Sequence, residues 1–331
     1  MTHARCTLAE CSVGVTGTCV LSHSPASSCP NFLIESRDTD DAAAAIPRRE
    51  WKTRTLSPGN ELGLQQLDGL MARRYATLVG LLGEASTGKT CLLSSLYLLA
   101  SCGQLTPSLV FGGSSTVLGF EQRLRKFREW AKAGLPDKIM ERTILADPRR
   151  PGFVHLAFRD TKSTATHDLV FSDLPGEWTT DLMKRAATAP RFTFLQRADA
   201  LVIAITAPSL LELSTRHNQV QNVRVLLQRL RDTVGVEQSI PLIFALTRCD
   251  VSGPHLPSPA YELAAIAEGF GYRATFQIAL AAFSQRDDVP SGLGLGEMLD
   301  AIIESKPHPR QPSADPQLHS HRMFAHYLGP V

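Results

Sequence analysis

Gly83-Glu84-Ala85-Ser86-Thr87-Gly88-Lys89-Thr90 spells G-x4-G-K-T, and its neighbours give it a context. Before it runs Tyr75–Leu82, apolar enough to predict a buried strand. After it runs Lys89–Ser101, where Leu92, Leu93, Leu96, Tyr97 and Leu99 predict a helix. A glycine-rich loop between a strand and a helix suits a phosphate chain. Gly83 and Gly88 let the backbone wrap a phosphate with its N–H groups, and the helix N-terminus adds a favourable dipole. Lys89 is placed to reach the β- and γ-phosphates, and the Thr90 hydroxyl to ligate Mg²⁺. Glu84, Ala85, Ser86 and Thr87 line the same loop, and Cys91 follows it.

Working outward, strand and helix patterns alternate. Glu61–Arg73 predicts a leading helix, and Gly119–Ala133 another, with Phe120, Leu124, Phe127 and Ala131 at helical spacing and Gly134 as its stop. Arg123, Arg125, Lys126 and Arg128 on that helix read as a solvated face opposite the apolar stripe. Strands are predicted at Phe153–Phe158, His167–Ser172, Ala200–Thr206, Pro241–Leu246 and Thr275–Ala281. Helices are predicted at Asn218–Val234 and Gly296–Ser305. Such alternation argues for a three-layer α/β domain around a mostly parallel sheet. No internal repeat interrupts it.

The 331 residues leave room for one large domain plus accessory segments, and 43% apolar content is ample for its core. A formal net charge of +2 gives no case for nucleic acid or an acidic membrane. No apolar run is long enough to span a bilayer, and the first residues lack a basic cluster and an apolar signal core. A cytoplasmic protein is the expectation. Residues 1–34 read as a Cys-rich module, 35–60 as a linker, 61–305 as the main domain, and 306–331 as a disordered tail with five prolines and four histidines.

Of the seven cysteines, Cys6, Cys11, Cys19 and Cys29 crowd the leader. A reducing compartment disfavours disulfides, so one Zn²⁺ held by four thiolates is expected there, because so few apolar residues need something to order them. Their spacing is wider than in zinc ribbons, and unpaired thiols are the competing reading.

Two later motifs share the context of the first. Asp173-Leu174-Pro175-Gly176-Glu177 follows the apolar Leu169-Val170-Phe171. An aspartate at such a strand end can hold Mg²⁺ through water, and Gly176 can offer its N–H to the γ-phosphate. Thr247-Arg248-Cys249-Asp250 follows Leu242–Leu246, with Ala281-Ala282-Phe283 further on. The first tetrapeptide resembles the N/T-K-x-D guanine motif of GTPases, and the resemblance implies that Asp250 accepts both guanine N–H donors while the flat Arg248 guanidinium covers the base.

Together these motifs resemble the Ras-like superfamily of P-loop GTPases over residues 75–305, with Thr247-Arg248-Cys249-Asp250 similar to the N/T-K-x-D guanine motif. Leu81-Leu82-Gly83-Glu84, Ser115-Thr116 and Asp173–Glu177 resemble the bacterial double-GTPase family more narrowly. The resemblance implies a GTP/GDP switch with unidentified protein partners in multi-component bacterial conflict or defence systems. It also implies that Ala281 and Ala282 touch the guanine carbonyl. Thr143 is the first choice for the switch threonine on Mg²⁺, and Thr116 the rival. Arg142 beside Thr143 would supply transition-state charge in cis. Glu177 stands where such enzymes carry the water-orienting glutamine, which implies slow or partner-dependent turnover. Two rival readings stay open: a GTP-sensing scaffold with little hydrolysis, and an ATP-using P-loop enzyme.

Overall fold

The computed structural model describes residues 4–34, 59–72, 75–128, 150–284 and 286–304. Two compact units divide the chain, Met1–Thr55 and Leu56–Val331. The linker expected at 35–60 falls almost entirely outside the described residues, and the tail at 306–331 entirely so.

The small unit pairs β1 (Ala4–Cys6) antiparallel with β2 (Phe32–Ile34), and α1 (Val13–Thr16) lies between them in sequence. Cys29 and Val13 are buried in it. Its strands are three residues each, which fits its shortage of apolar side chains.

The large unit opens with α2 (Leu64–Met71), β3 (Ala76–Leu82), α3 (Lys89–Ser101), β4 (Leu109–Gly113) and α4 (Val117–Arg128). It continues with β5 (Gly152–Asp160), β6 (Thr166–Asp173), α5 (Gly176–Lys184), β7 (Ala200–Thr206), α6 (Ala207–Leu211) and α7 (Leu213–Arg229). It ends with β8 (Leu242–Thr247), α8 (Cys249–Ser252), α9 (Pro259–Gly269), β9 (Thr275–Ala279) and α10 (Leu295–Glu304). The sheet has seven strands in the order β4-β5-β6-β3-β7-β8-β9. β5 runs antiparallel to both neighbours, and β6, β3, β7, β8 and β9 pair parallel. The expected three-layer, mostly parallel architecture is the one present.

Two large cores form because the central strands are buried on both faces and alternate between them, and a smaller third cluster gathers Leu62, Leu67, Ala76, Leu78, Phe153 and Val170. Leu201, Ile203 and Ile205 of β7 join Leu242, Phe244 and Leu246 of β8 in one core, which α5, α7 and α9 cover. Ala200 and Val202 join Ile243 and Ala245 in the other, beneath α3, α4 and α10.

Several elements were not read from the sequence. The edge strand β4 ends in Gly112-Gly113 and shows only Leu109 buried, so its apolar pattern is faint. α5 and α6 are short, nine and five residues, and α9, which is apolar on several sides, carries weak helical periodicity. The helix expected at Asn218–Val234 starts earlier, at Leu213, and widens into a separate π-helical turn over Leu230–Val234. Among the described residues no helix is long and apolar enough to cross a membrane.

Candidate nucleotide site

Because β3, β6, β7 and β8 run parallel, the residues that follow them meet at one edge of the sheet. Binding clefts of open α/β sheets form at the carboxyl ends of strands. Here that edge carries the loops after Leu82, Asp173, Thr206 and Thr247.

The loop after β3 needs its glycines. Gly83 has φ +148, and a Cβ there would stand 2.7 Å from the Ala204 carbonyl. Gly88 has φ +88 and forms the N-cap of α3. The Thr87 hydroxyl donates to the Glu84 carbonyl at 2.9 Å, which closes the turn. Lys89 folds back over the loop, donating through Nζ to the carbonyls of Gly83 at 2.7 Å and Glu84 at 3.0 Å. Only 7% of Lys89 is exposed. Burial pulls its pKa down to about 8, against the opposing charges of Asp173, Glu177 and Glu84. Three carboxylates thus favour the charged form of Lys89 against its burial, and Asn222 of α7 donates to Glu84 Oε1 at 2.5 Å.

The loop after β6 closes directly on this cradle. Gly176 packs so tightly that a Cβ would lie 2.3 Å from the Ala85 nitrogen. The Gly83 N–H donates to the Thr179 hydroxyl of α5 at 3.3 Å. Glu177 is exposed at the start of α5, and Trp178 is buried behind it. Asp173 is buried at the end of β6, and its carboxylate is ion-paired with Arg123 of α4.

That pair corrects the reading of Arg123 as part of a solvated face. Its side chain is only 12% exposed, whereas Arg125 is exposed on the same helix. A signal was present in the sequence. Arg123 lies three residues after Phe120 and four before Phe127, which puts it beside the apolar stripe instead of opposite it.

The loop after β8 braces the cradle from the other side. The Thr247 hydroxyl donates to the Thr87 carbonyl at 2.7 Å, and Arg248 Nη2 to the Ser86 carbonyl at 3.1 Å. Arg248 adopts φ +61, which turns the chain sharply after β8. The Cys249 N–H donates to the Leu280 carbonyl at 3.0 Å, tying this loop to the one after β9. There Ala281 is buried and bridged to Leu293, and the Ala282 carbonyl accepts from Ser95 of α3 at 2.6 Å. Asp250 sits half-buried in α8. Burial pushes the Cys91 thiol up, with Arg248 drawing it back.

The structure thus brings together Gly83 to Cys91, Asp173, Gly176, Glu177, Thr247 and Arg248, with Asp250, Ala281 and Ala282 on the adjoining loops. Arg142 and Thr143 lie outside the described residues. Thr116 is fully buried at the start of α4, where its hydroxyl accepts from the His155 N–H of β5 at 2.9 Å. That hydroxyl also lies 3.2 Å from Ser114 Oγ, so it is committed to the β4–β5 corner.

In the leader, hydrogen bonds from the Val20 and Val13 backbone, and then from the Cys6 and Cys19 side chains, hold the Cys11 thiol below its ordinary pKa. Among the described residues no group of three or more His, Cys, Asp or Glu side chains is arranged to hold a metal ion.

A family model described as Double-GTPase 2 matches residues 77–303. Similar solved structures include the Roco2 RocCORdC of Methanosarcina barkeri bound to GDP, at 14% identity and a TM-score of 0.36. The match covers 75% of this chain and 52% of that one, so the chain spans about half of its length. The Arl6 BBS3 small GTPase of Trypanosoma brucei with bound GppNp is 14% identical, over 69% of this chain and 96% of that one, with a TM-score of 0.37. The signal recognition particle receptor SRb-GTP/SRX complex of Chaetomium thermophilum is 15% identical, over 68% and 98%, with a TM-score of 0.37. No curated protein matches the chain.

Proposed function

This chain belongs to the Double-GTPase 2 family, and from that premise we propose that it binds GTP with Mg²⁺ and hydrolyses it to GDP as a molecular switch. The observation that carries this reading is the triple closure of the loop at 83–90. Lys89 folds over it, Gly176 packs on it, and Thr247 and Arg248 brace its carbonyls. Phosphate cradle, γ-phosphate sensor and base reader are then one connected unit.

Each residue has its role. The N–H groups of the loop at 83–90 take the phosphates, and Lys89 leaves the carbonyls of Gly83 and Glu84 for the β- and γ-oxygens. The Gly176 N–H marks the γ-phosphate. Arg248 covers the guanine plane, Asp250 accepts from the base, and Ala281 and Ala282 flank its carbonyl. Thr90 and Asp173 supply hard oxygen donors, and the carboxylates around Lys89 supply negative charge, which suits a small divalent cation. Mg²⁺ bound there would neutralise the charge that develops between the β- and γ-phosphates. Water attacks in line, and Lys89 stabilises the charge that builds up.

The commitment of Thr116 to His155 favours Thr143 as the switch threonine, with Arg142 beside it as the cis arginine. The GTPase domain is taken as 61–305, after a leader at 1–34 and a linker at 35–60 and before a tail at 306–331. The leader would hold one Zn²⁺ through Cys6, Cys11, Cys19 and Cys29, a reading supported by the clustering of these four cysteines in a leader with little apolar burial. Family membership is the support for a place in a bacterial conflict or defence system, with protein effectors.

A second reading, a GTP sensor that scarcely hydrolyses, is favoured by Glu177. That carboxylate adds negative charge beside Lys89 where the γ-phosphate would sit. Competition of GTP, GDP and ATP against a fluorescent guanine nucleotide with Mg²⁺ present tests the binding. Guanine nucleotides are expected to win clearly over ATP, and equal competition by ATP would reject the assignment. Single-turnover hydrolysis of bound GTP separates the enzyme from the sensor.

A further inference from the structure

The Asp173 carboxylate already has a cationic partner, and that partner comes from α4, outside the motifs of the nucleotide site. A carboxylate only 1% exposed must be paired, since an isolated buried charge is costly. Arg123 Nη2 donates to Asp173 Oδ2, while Arg123 Nη1 donates to the Gly119 carbonyl at 2.7 Å. Nε of the same guanidinium is buried and has no hydrogen-bond partner among the described residues. The fork is thus aimed at the carboxylate without being saturated where it sits.

The helix that carries it is firmly held. Phe120 stacks on Tyr97 of α3 with centroids 4.8 Å apart, and the Tyr97 hydroxyl donates to Glu121 at 2.7 Å. The Gly119 N–H donates to the Gly59 carbonyl at 2.9 Å, and a Cβ at Gly119 would fall 1.7 Å from the Asn60 carbonyl. A pinned helix therefore delivers the guanidinium to the oxygen that a metal at the phosphates would need. Arginine offers only donors and a fixed charge, so it cannot share that oxygen with a dication at contact range.

We propose that Arg123 is the counter-ion of Asp173 when the metal is absent, and that Mg²⁺ and Arg123 exchange on this carboxylate. The inference rests on the Mg²⁺ site of the proposed function. Arg123 is then a positioning residue that sets the Mg²⁺ concentration at which nucleotide is retained. It keeps a buried carboxylate paired in the empty protein, and its displacement opposes metal entry. Nucleotide exchange would be biased toward the metal-free state, with α4 as the element that registers the difference.

The test is the release rate of a fluorescent GDP analogue from the full chain at stepped free Mg²⁺. Release from the native protein should slow as Mg²⁺ rises, with a defined half-point. Arg123→Gln removes the competitor and should lower that half-point about tenfold, the effect of losing one hydrogen bond to a charged group. Arg125→Gln, on the exposed side of the same helix, should leave it at the native value. An unchanged or raised half-point in Arg123→Gln overturns the proposal, including the case where the variant merely melts earlier. If Arg123→Gln does not fold, Arg123→Lys carries the test. It keeps the charge but loses the fork to Gly119, so its half-point must still fall below the native one, and equality overturns the proposal. Release from the native protein that ignores Mg²⁺ altogether would reject the metal site itself, and this inference with it.

Discussion

Lys89 is buried, and in the proposed phosphate role it would work only when charged. Burial draws its pKa down to about 8, so the empty site holds a mixture of ammonium and amine in mildly alkaline solution. Phosphate oxygens favour the ammonium, so the pKa rises on binding. GTP affinity should then stand in full below pH 8 and fall as pH climbs from 8 toward the pKa of the complex, with proton uptake near 8. Calorimetry in two buffers of different ionisation heat reads that uptake, and Lys89→Ala should abolish both the uptake and most of the affinity. Asp250→Asn should loosen guanine preference by about 1–3 kcal/mol, because an amide presents a donor where the base also donates. Competition between GTP and xanthosine triphosphate checks it, and a preference as large as the native one would free Asp250 of the role. Glu177→Gln removes a negative charge close to Lys89 and supplies an amide that can donate to phosphate and accept from water. Intrinsic hydrolysis should rise, about tenfold for each 1.36 kcal/mol taken off the barrier. Slower single-turnover hydrolysis would instead make Glu177 a productive partner of the water.

At the scale of elements, what was legible followed from period and punctuation. β3, β7 and β8 are continuous apolar runs that a covered parallel sheet requires, and α3 is bounded by Gly88 and Cys102 almost as its leucines imply. The loops after those strands carry the residues that the sequence reading assigned to phosphate and base, and the parallel strands bring them to one edge of the sheet. What escaped was contact that only tertiary packing creates. Gly176 pressing on Ala85, the tie from Thr179 to Gly83, and Arg123 turned inward from a helix that looked basic outside all depend on where α4 and α5 land. Gly176→Ala tests that landing. The new methyl would meet the Ala85 backbone at 2.3–2.4 Å, so α5 must lift off the loop. Overpacking of this kind costs about 1–3 kcal/mol. The expected result is a lower Tm of the nucleotide-free protein together with weakened GTP binding, since the same N–H would serve the γ-phosphate. A native Tm would show that α5 does not press on the loop in solution.

At the scale of the whole chain, two units obey different physics. The large one, Leu56–Val331, buries two extensive cores against a seven-stranded sheet and is expected to need no metal to fold. The small one, Met1–Thr55, pairs two three-residue strands and contributes Val13 and Cys29 to its interior. Units with so little apolar burial ordinarily rely on a disulfide or a metal. The structure shows all seven cysteines free; no three described His, Cys, Asp or Glu side chains are arranged for a metal, so the four leader thiols make zinc a stabiliser to test by assay. Protein purified without chelator should carry close to one zinc per chain by elemental analysis. Replacing Cys6 and Cys19 together by serine should remove it, because two thiolates cannot match the affinity of four. The GDP-dependent rise in Tm reports the large unit separately, since a ligand at a hundred times its Kd adds about 2.7 kcal/mol to the state that binds it. That rise should be the same in the double variant as in the native chain. Metal-free native protein would end the zinc reading and leave four reduced thiols in the leader, whereas loss of the GDP effect together with the zinc would show that the leader supports the nucleotide site.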